Sequence, residues 1–134
     1  SVRSLAVVVV TTLLMVTVLA SFASASSQKA FHLQKTCVSH VLCTIVSSSF
    51  SGLTAGTDIT YVLGSGGLAY PSIVTRNGST TGVCDWNQPA GPVLAKCTLG
   101  MGTGRLTQFH LAVDVTFDGT YWLWDGTYWM GGPD

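Results

Sequence analysis

The chain has 134 residues, enough for one domain, with six basic residues, six acidic residues and four cysteines. A balance this even lacks the electrostatic footprint of a nucleic-acid-binding protein and the polybasic patch that anionic lipid attracts.

Arg3 is the only charged residue before Lys29, and Leu5 to Ala20 is almost wholly apolar. A basic start, an apolar run and the small-residue site Ala23-Ser24-Ala25 make a cleavable signal peptide over residues 1–25. A retained membrane anchor is the rival reading, but the run is only about 16 residues against the roughly 20 that a spanning helix needs. No cysteine stands immediately after the cleavage site, where Ser26 is found, which argues against a lipid anchor. The first residue is Ser, so the chain need not be whole. The expectation is a secreted, extracellular domain over residues 26–134, with no membrane association after cleavage. It carries five basic residues (Lys29, Lys35, Arg76, Lys96, Arg105) and six aspartates, a formal charge of −1.

Cys37, Cys43, Cys84 and Cys97 all follow the cleavage site, and an even count in an exported chain reads as two disulfides. The favoured pairing is Cys37–Cys43 with Cys84–Cys97; the alternative takes Cys43 across to Cys97. Zinc is the other use for such residues, but no C-x-x-C spacing occurs and His32, His40 and His110 are scattered. No metal or cofactor is expected.

The domain contains no glutamate and is rich in Val, Thr, Ser and Gly. Turn signals recur roughly every 8 to 12 residues, the rhythm of an all-β sandwich or barrel. Residues 30–36 read as a weak edge strand, 41–47 as a buried strand, 51–56 as a corner and 57–63 as an alternating strand with Ile59, Tyr61 and Leu63 on one face. Strands at 72–76 and 79–84 flank Asn77-Gly78, a hairpin signal that also matches a glycosylation sequon with Ser79. Residues 93–99 form another strand, and 100–104 read as a flexible loop.

The clearest strand is 105–117. Phe109, Leu111, Val113, Val115 and Phe117 share one parity, and Gln108, His110, Ala112, Asp114 and Thr116 the other. One face is core and the other meets solvent, which leaves His110 as a surface histidine. Then DGTYW occurs twice, at 118–122 and 125–129. Asp-Gly suits a two-residue hairpin turn, so two such turns make a C-terminal β-meander. That register puts Trp122, Trp124 and Trp129 on the core face with Val113 and Val115, and Tyr121, Leu123, Tyr128 and Met130 on the other. Trp129 and Met130 could then cover a neighbouring protein module.

No G-x-S-x-G, H-E-x-x-H, P-loop or EF-hand sequence occurs. A glycosidase pair would need two of Asp58, Asp85, Asp114, Asp118 and Asp125, without a supporting motif. Asp118 and Asp125 could hold calcium, but turn formation explains both. Two candidate ligand surfaces remain. One is the loop from Cys84 to Pro92, with Trp86, Asn87 and Gln88 between ends pinned by a disulfide. The other is the outward row Tyr121 and Tyr128, flat rings suited to stacking on sugars.

The run from Phe50 to Tyr61 (FSGLTAGTDITY) resembles the strand-corner-strand element of immunoglobulin-like modules of bacterial secreted proteins, and Arg76 to Gly82 (RNGSTTG) is similar to the turn after their middle strands. The resemblance spans residues 40–117. No Trp stands at the antibody-type Cys…Trp…Cys spacing, and CDWNQ at 84–88 has no place in the pattern. It implies an antiparallel immunoglobulin-like β-sandwich serving as a non-catalytic structural or adhesion module. A carbohydrate-binding module using exposed aromatics is the alternative, with an extracellular glycan or a neighbouring protein module as partner; an enzyme or enzyme inhibitor is the third reading.

Overall fold

A computed structural model describes residues 27–131; the expected signal peptide at 1–25 lies outside them. Eight strands run in order: β1 (Lys29–Ser39), β2 (Leu42–Ser48), β3 (Asp58–Leu63), β4 (Leu68–Thr75), β5 (Gly78–Asp85), β6 (Ala95–Gly104), β7 (Phe109–Phe117) and β8 (Trp122–Met130). There is no helix among the described residues. Each strand pairs antiparallel with the next, and β8 pairs with β1 from Lys29↔Tyr128 to Lys35↔Trp122, closing a barrel.

This overturns the immunoglobulin-like sandwich. Regular turns and alternating strands are common to both architectures, since each has one buried face per strand. The difference lies in β1. Instead of a weak edge of seven residues it is an 11-residue strand bonded on both sides, to β2 and to β8. Closure removes the two unpaired edges that a sandwich leaves on each sheet. The inward parity of β1 is Phe31, Leu33, Lys35 and Cys37, an apolar alternation interrupted by one lysine.

Two further segments depart from expectation. Residues 100–104 are not a loop but the far half of β6, paired Gly100↔Thr81, Thr103↔Ser79 and Gly104↔Gly78. The hairpin turn expected at Asn77-Gly78 sits one residue earlier, on Arg76 and Asn77, because Thr75 already pairs with Gly78.

The two DGTYW copies adopt different structures. In the first, Asp118 to Tyr121 connect β7 and β8, Gly119 takes a positive φ of 98°, and the Asp118 carboxylate accepts hydrogen bonds from the N–H groups of Thr120 (2.8 Å) and Tyr121 (2.7 Å). Those bonds, Tyr121 first and Thr120 second, hold the Asp118 carboxyl below the usual range. The second copy makes no turn. Asp125 and Gly126 lie inside β8, where Gly126 pairs with Val113.

Parity explains which side chains were placed correctly. The four-residue connection pairs Phe117↔Trp122 and Val115↔Trp124, two residues away from the expected register, and a shift of two preserves faces. Trp122 and Trp124 are therefore inward as expected. With no second turn, alternation continues along β8, so Tyr128 points in and Trp129 out, the reverse of the expectation. Trp129 stacks on His110 of the outer face, ring centroids 5.4 Å apart.

Gly126 is required by close strand approach. A Cβ there would drive into the backbone carbonyl of Ala112, which cannot rotate away. Gly126→Ala is expected to cost about 2 kcal/mol by forcing β7 and β8 apart; an unchanged urea midpoint would show that the strands yield freely.

The barrel is packed at one end and hollow at the other. At the packed end Phe50 and Leu53, from the β2–β3 connection, and Leu106, from the β6–β7 connection, fold over the interior. Phe50 stacks on Phe109 at 4.8 Å with the rings 9° from parallel, and Tyr128 joins them. At the other end the small Ala69, Ala95 and the two disulfides stand among the inward residues and leave the interior unfilled.

Candidate functional site

The hollow end holds a cavity of about 540 Å³, walled by Tyr61, Val115, Trp122 and Trp124, with Trp86 and His40 among the residues at its rim. An eight-stranded barrel is just wide enough to be filled by side chains or to enclose one small ligand. Here the filling stops partway, because small residues replace large ones toward the mouth.

Both disulfides line this end, and each joins a directly opposed cross-strand pair, Cys37–Cys43 between β1 and β2 and Cys84–Cys97 between β5 and β6. The favoured connectivity is the one observed. These bonds hold the hollow rim where packing cannot. Replacing Cys84 and Cys97 together by Ser removes a 13-residue cross-link and is expected to cost roughly 3 kcal/mol in the loop-entropy account. A thermal melt checks it; no loss of stability would mean the rim is held without the bond.

Lys35 stands at the base of the cavity. Only 4% of it is exposed. Its Nζ donates to the Tyr61 hydroxyl and lies 4.3 Å from the ring centroid of Trp124 and 4.9 Å from that of Tyr61. No carboxylate lines the cavity among the described residues. The two ion pairs there, Lys96–Asp114 at 2.8 Å and His32–Asp125, lie on the outer face. A cation without a counter-ion in an apolar enclosure is disfavoured, and burial lowers the Lys35 amine from 10.5 to about 7. Burial likewise raises the Tyr61 phenol above its ordinary range. The ring faces soften the cost of the charged form, but cation–π contacts contribute only about 1–2 kcal/mol when desolvated.

A second buried polar group belongs to a residue of the cavity wall. Trp124 is fully buried and lines the cavity, and its indole N–H has no hydrogen-bond partner among the described residues. Unsatisfied buried donors are uncommon, and each calls for an explanation. An amine and a phenol thus adjoin one apolar space, with an unsatisfied indole N–H buried in its wall.

The residues singled out in the sequence are dispersed. Trp86, 41% exposed, sits at the cavity rim edge-on to Trp122 with centroids 6.0 Å apart. Asn87 shapes its own loop, donating from Nδ2 to the Gly66 carbonyl and to Asp85. Gln88 is exposed and does not line the cavity. Tyr121 and Tyr128 form no outward row: Tyr121 belongs to the β7–β8 connection, and Tyr128 packs inside on Phe31 and Phe50. The five described aspartates do not converge. Asp58 accepts from Thr44, Asp85 from Asn87, Asp114 from Lys96 and Asp118 from its own turn, while Asp125 meets His32. No group of three or more metal-ligating side chains occurs among the described residues.

Sequence reasoning missed Lys35 and the role of Tyr61, Trp122 and Trp124 as cavity walls. The signal was present in β1: Phe31, Leu33, Lys35 and Cys37 alternate, and a lysine on an apolar parity is a buried amine in waiting. No protein-family model, curated protein or solved structure matches the chain.

Proposed function

We propose that this chain is an extracellular binding barrel for one small, flat, largely apolar molecule carrying an oxygen acceptor. The observation that carries the reading is Lys35, an amine buried without a counter-ion beneath an open cavity of about 540 Å³. The volume falls within the range of small-molecule sites, which combine mostly apolar walls with a few placed polar groups. The rings of Trp122 and Trp86 suit a flat body, and the Lys35 amine and the Tyr61 hydroxyl suit an oxygen atom. The role is binding rather than turnover, and two disulfides are compatible with an extracellular setting.

Isothermal calorimetry of the oxidised protein with 2-naphthoate tests this. One site per chain is expected, with Trp86→Ala weakening it by about tenfold, the equivalent of one lost aromatic contact of ~1.4 kcal/mol. The glycan reading keeps one supporting observation, the half-exposed Trp86 beside Trp122 at the rim. Binding of a cello-oligosaccharide with no heat from naphthoate would favour it. Silence from both would leave the barrel a structural or adhesion module.

A further inference from the structure

The proposed site differs from an ordinary apolar pocket in having a lysine amine, and not only a hydrogen-bond donor, at its base. We infer that Lys35 captures small aromatic aldehydes as a reversible imine inside the barrel, with the Tyr61 hydroxyl handling the proton. The inference rests on the binding reading above and names the chemical class of ligand.

Three features of the site point the same way. First, Lys35 Nζ is enclosed by the Trp124 and Tyr61 rings and faces a cavity with no acidic side chain among its described lining residues, so no counter-ion holds it in the ammonium form. The other titratable groups facing this space are Tyr61 on β3 and, at the rim, His40 between β1 and β2. Lysines become nucleophiles when an apolar pocket strips their solvent. Second, the Tyr61 hydroxyl is hydrogen-bonded to Nζ, within reach of any carbonyl oxygen that approaches the amine. Third, an aldehyde needs no ion pair. A carboxylate held here pairs with the ammonium form of Lys35 and stays a reversible, non-covalent ligand. An aldehyde carries one neutral oxygen and loses it as water.

The step balances without an added oxidant or reductant. The Nζ lone pair attacks the carbonyl carbon, and the C=O π pair moves to oxygen, which takes a proton from the Tyr61 hydroxyl. Nζ passes a proton back to the phenolate, giving a neutral carbinolamine. The hydroxyl group then leaves as water with a proton from the Tyr61 hydroxyl, as the nitrogen lone pair forms the C=N bond, and the resulting iminium N–H returns its proton to the Tyr61 phenolate. Amine and aldehyde become imine and one water, and hydrolysis reverses the sequence. The enclosure slows that reversal by limiting water.

The full oxidised chain is incubated at pH 7 with 2-naphthaldehyde and cyanoborohydride, which fixes an imine as a secondary amine, and is read by intact mass and peptide mapping. All four cysteines are in disulfides, so no thiol competes. One adduct is expected, on Lys35, at least tenfold faster than on the exposed Lys29 and Lys96. Lys35→Arg and Lys35→Met should both lose it, and Tyr61→Phe should slow it at least tenfold while 2-naphthoate still binds. Equal labelling of the three lysines, or no adduct on Lys35, overturns the inference. If calorimetry shows naphthoate binding in that case, the cavity reading survives and only the covalent step fails. If neither compound engages the barrel, both fail together.

Discussion

Lys35→Met is expected to make the folded barrel more stable at pH 6, by about 2–3 kcal/mol. The amine gives up its proton at about 7 in the folded chain and at 10.5 in the open one. Below pH 7 both states are charged, and the folded state carries a buried cation at a cost on the order of 4 kcal/mol. Methionine has a similar length and no charge, and it fits the apolar parity of β1 beside Leu33. Against the gain stands one loss: Tyr61 gives up the hydrogen bond from Nζ, which costs about 1–2 kcal/mol. The charge term is the larger.

The same pair fixes the pH dependence. Between pH 7 and 10.5 the unfolded chain binds the Lys35 proton and the folded chain does not, so the stability of the natural sequence rises with pH across that window. Above pH 10 Tyr61 acts in the opposite sense. Its phenol keeps its proton in the fold after the unfolded chain has lost it, so stability falls again. Urea midpoints measured from pH 6 to 9.5 should climb for the natural sequence and stay nearly flat for Lys35→Met. Parallel curves would mean that water reaches the amine. The difference between the two curves isolates Lys35.

Phe109→Ala is expected to do the reverse, at the opposite end of the barrel. Phe109 is fully buried, stacks on Phe50 and packs on Tyr128. Its truncation should cost about 3–5 kcal/mol, as transfer energy and as a void among rings too rigid to collapse. Phe109 does not line the cavity, so binding of 2-naphthoate by the molecules that remain folded should change less than threefold. The two variants form an opposed pair: one gains stability and loses the site, the other loses stability and keeps it. A barrel that is merely structural has no reason for that opposition. A barrel with a functional hollow end accepts a stability cost there and recovers it at the packed end.

The β class, the disulfide pairing and the inward faces of β7 and early β8 were legible because each rests on local information. Alternation in Phe109 to Phe117 needs no partner strand, and a cross-link of short span is read from spacing. What was illegible depended on the whole chain. Nothing local in Lys29 to Ser39 says that its second edge meets β8, yet that pairing separates a barrel from a sandwich. The second DGTYW shows the same limit at smaller scale. Asp125-Gly126 has the letters of a turn, but β1 requires a straight β8 to pair from Lys29↔Tyr128 to Lys35↔Trp122, and the ladder overrides the turn preference. That one override sends Tyr128 inward and removes the tyrosine row expected as a sugar platform. Trp86 was noticed for its exposure and loop, which are local. Lys35 was passed over because a lysine reads as surface unless the apolar alternation of Phe31, Leu33 and Cys37 around it is followed along the strand.

The most direct test of the account is the titration of Lys35 itself, followed by the ¹³Cε shift of lysine in protein carrying Lys29→Arg and Lys96→Arg so that one lysine signal remains in the domain. A midpoint near 7 is the predicted result; it would place an amine without a counter-ion under the cavity, the feature on which the binding role and the covalent capture both rest. A midpoint near 10.5, the ordinary value for a solvated lysine, would contradict it.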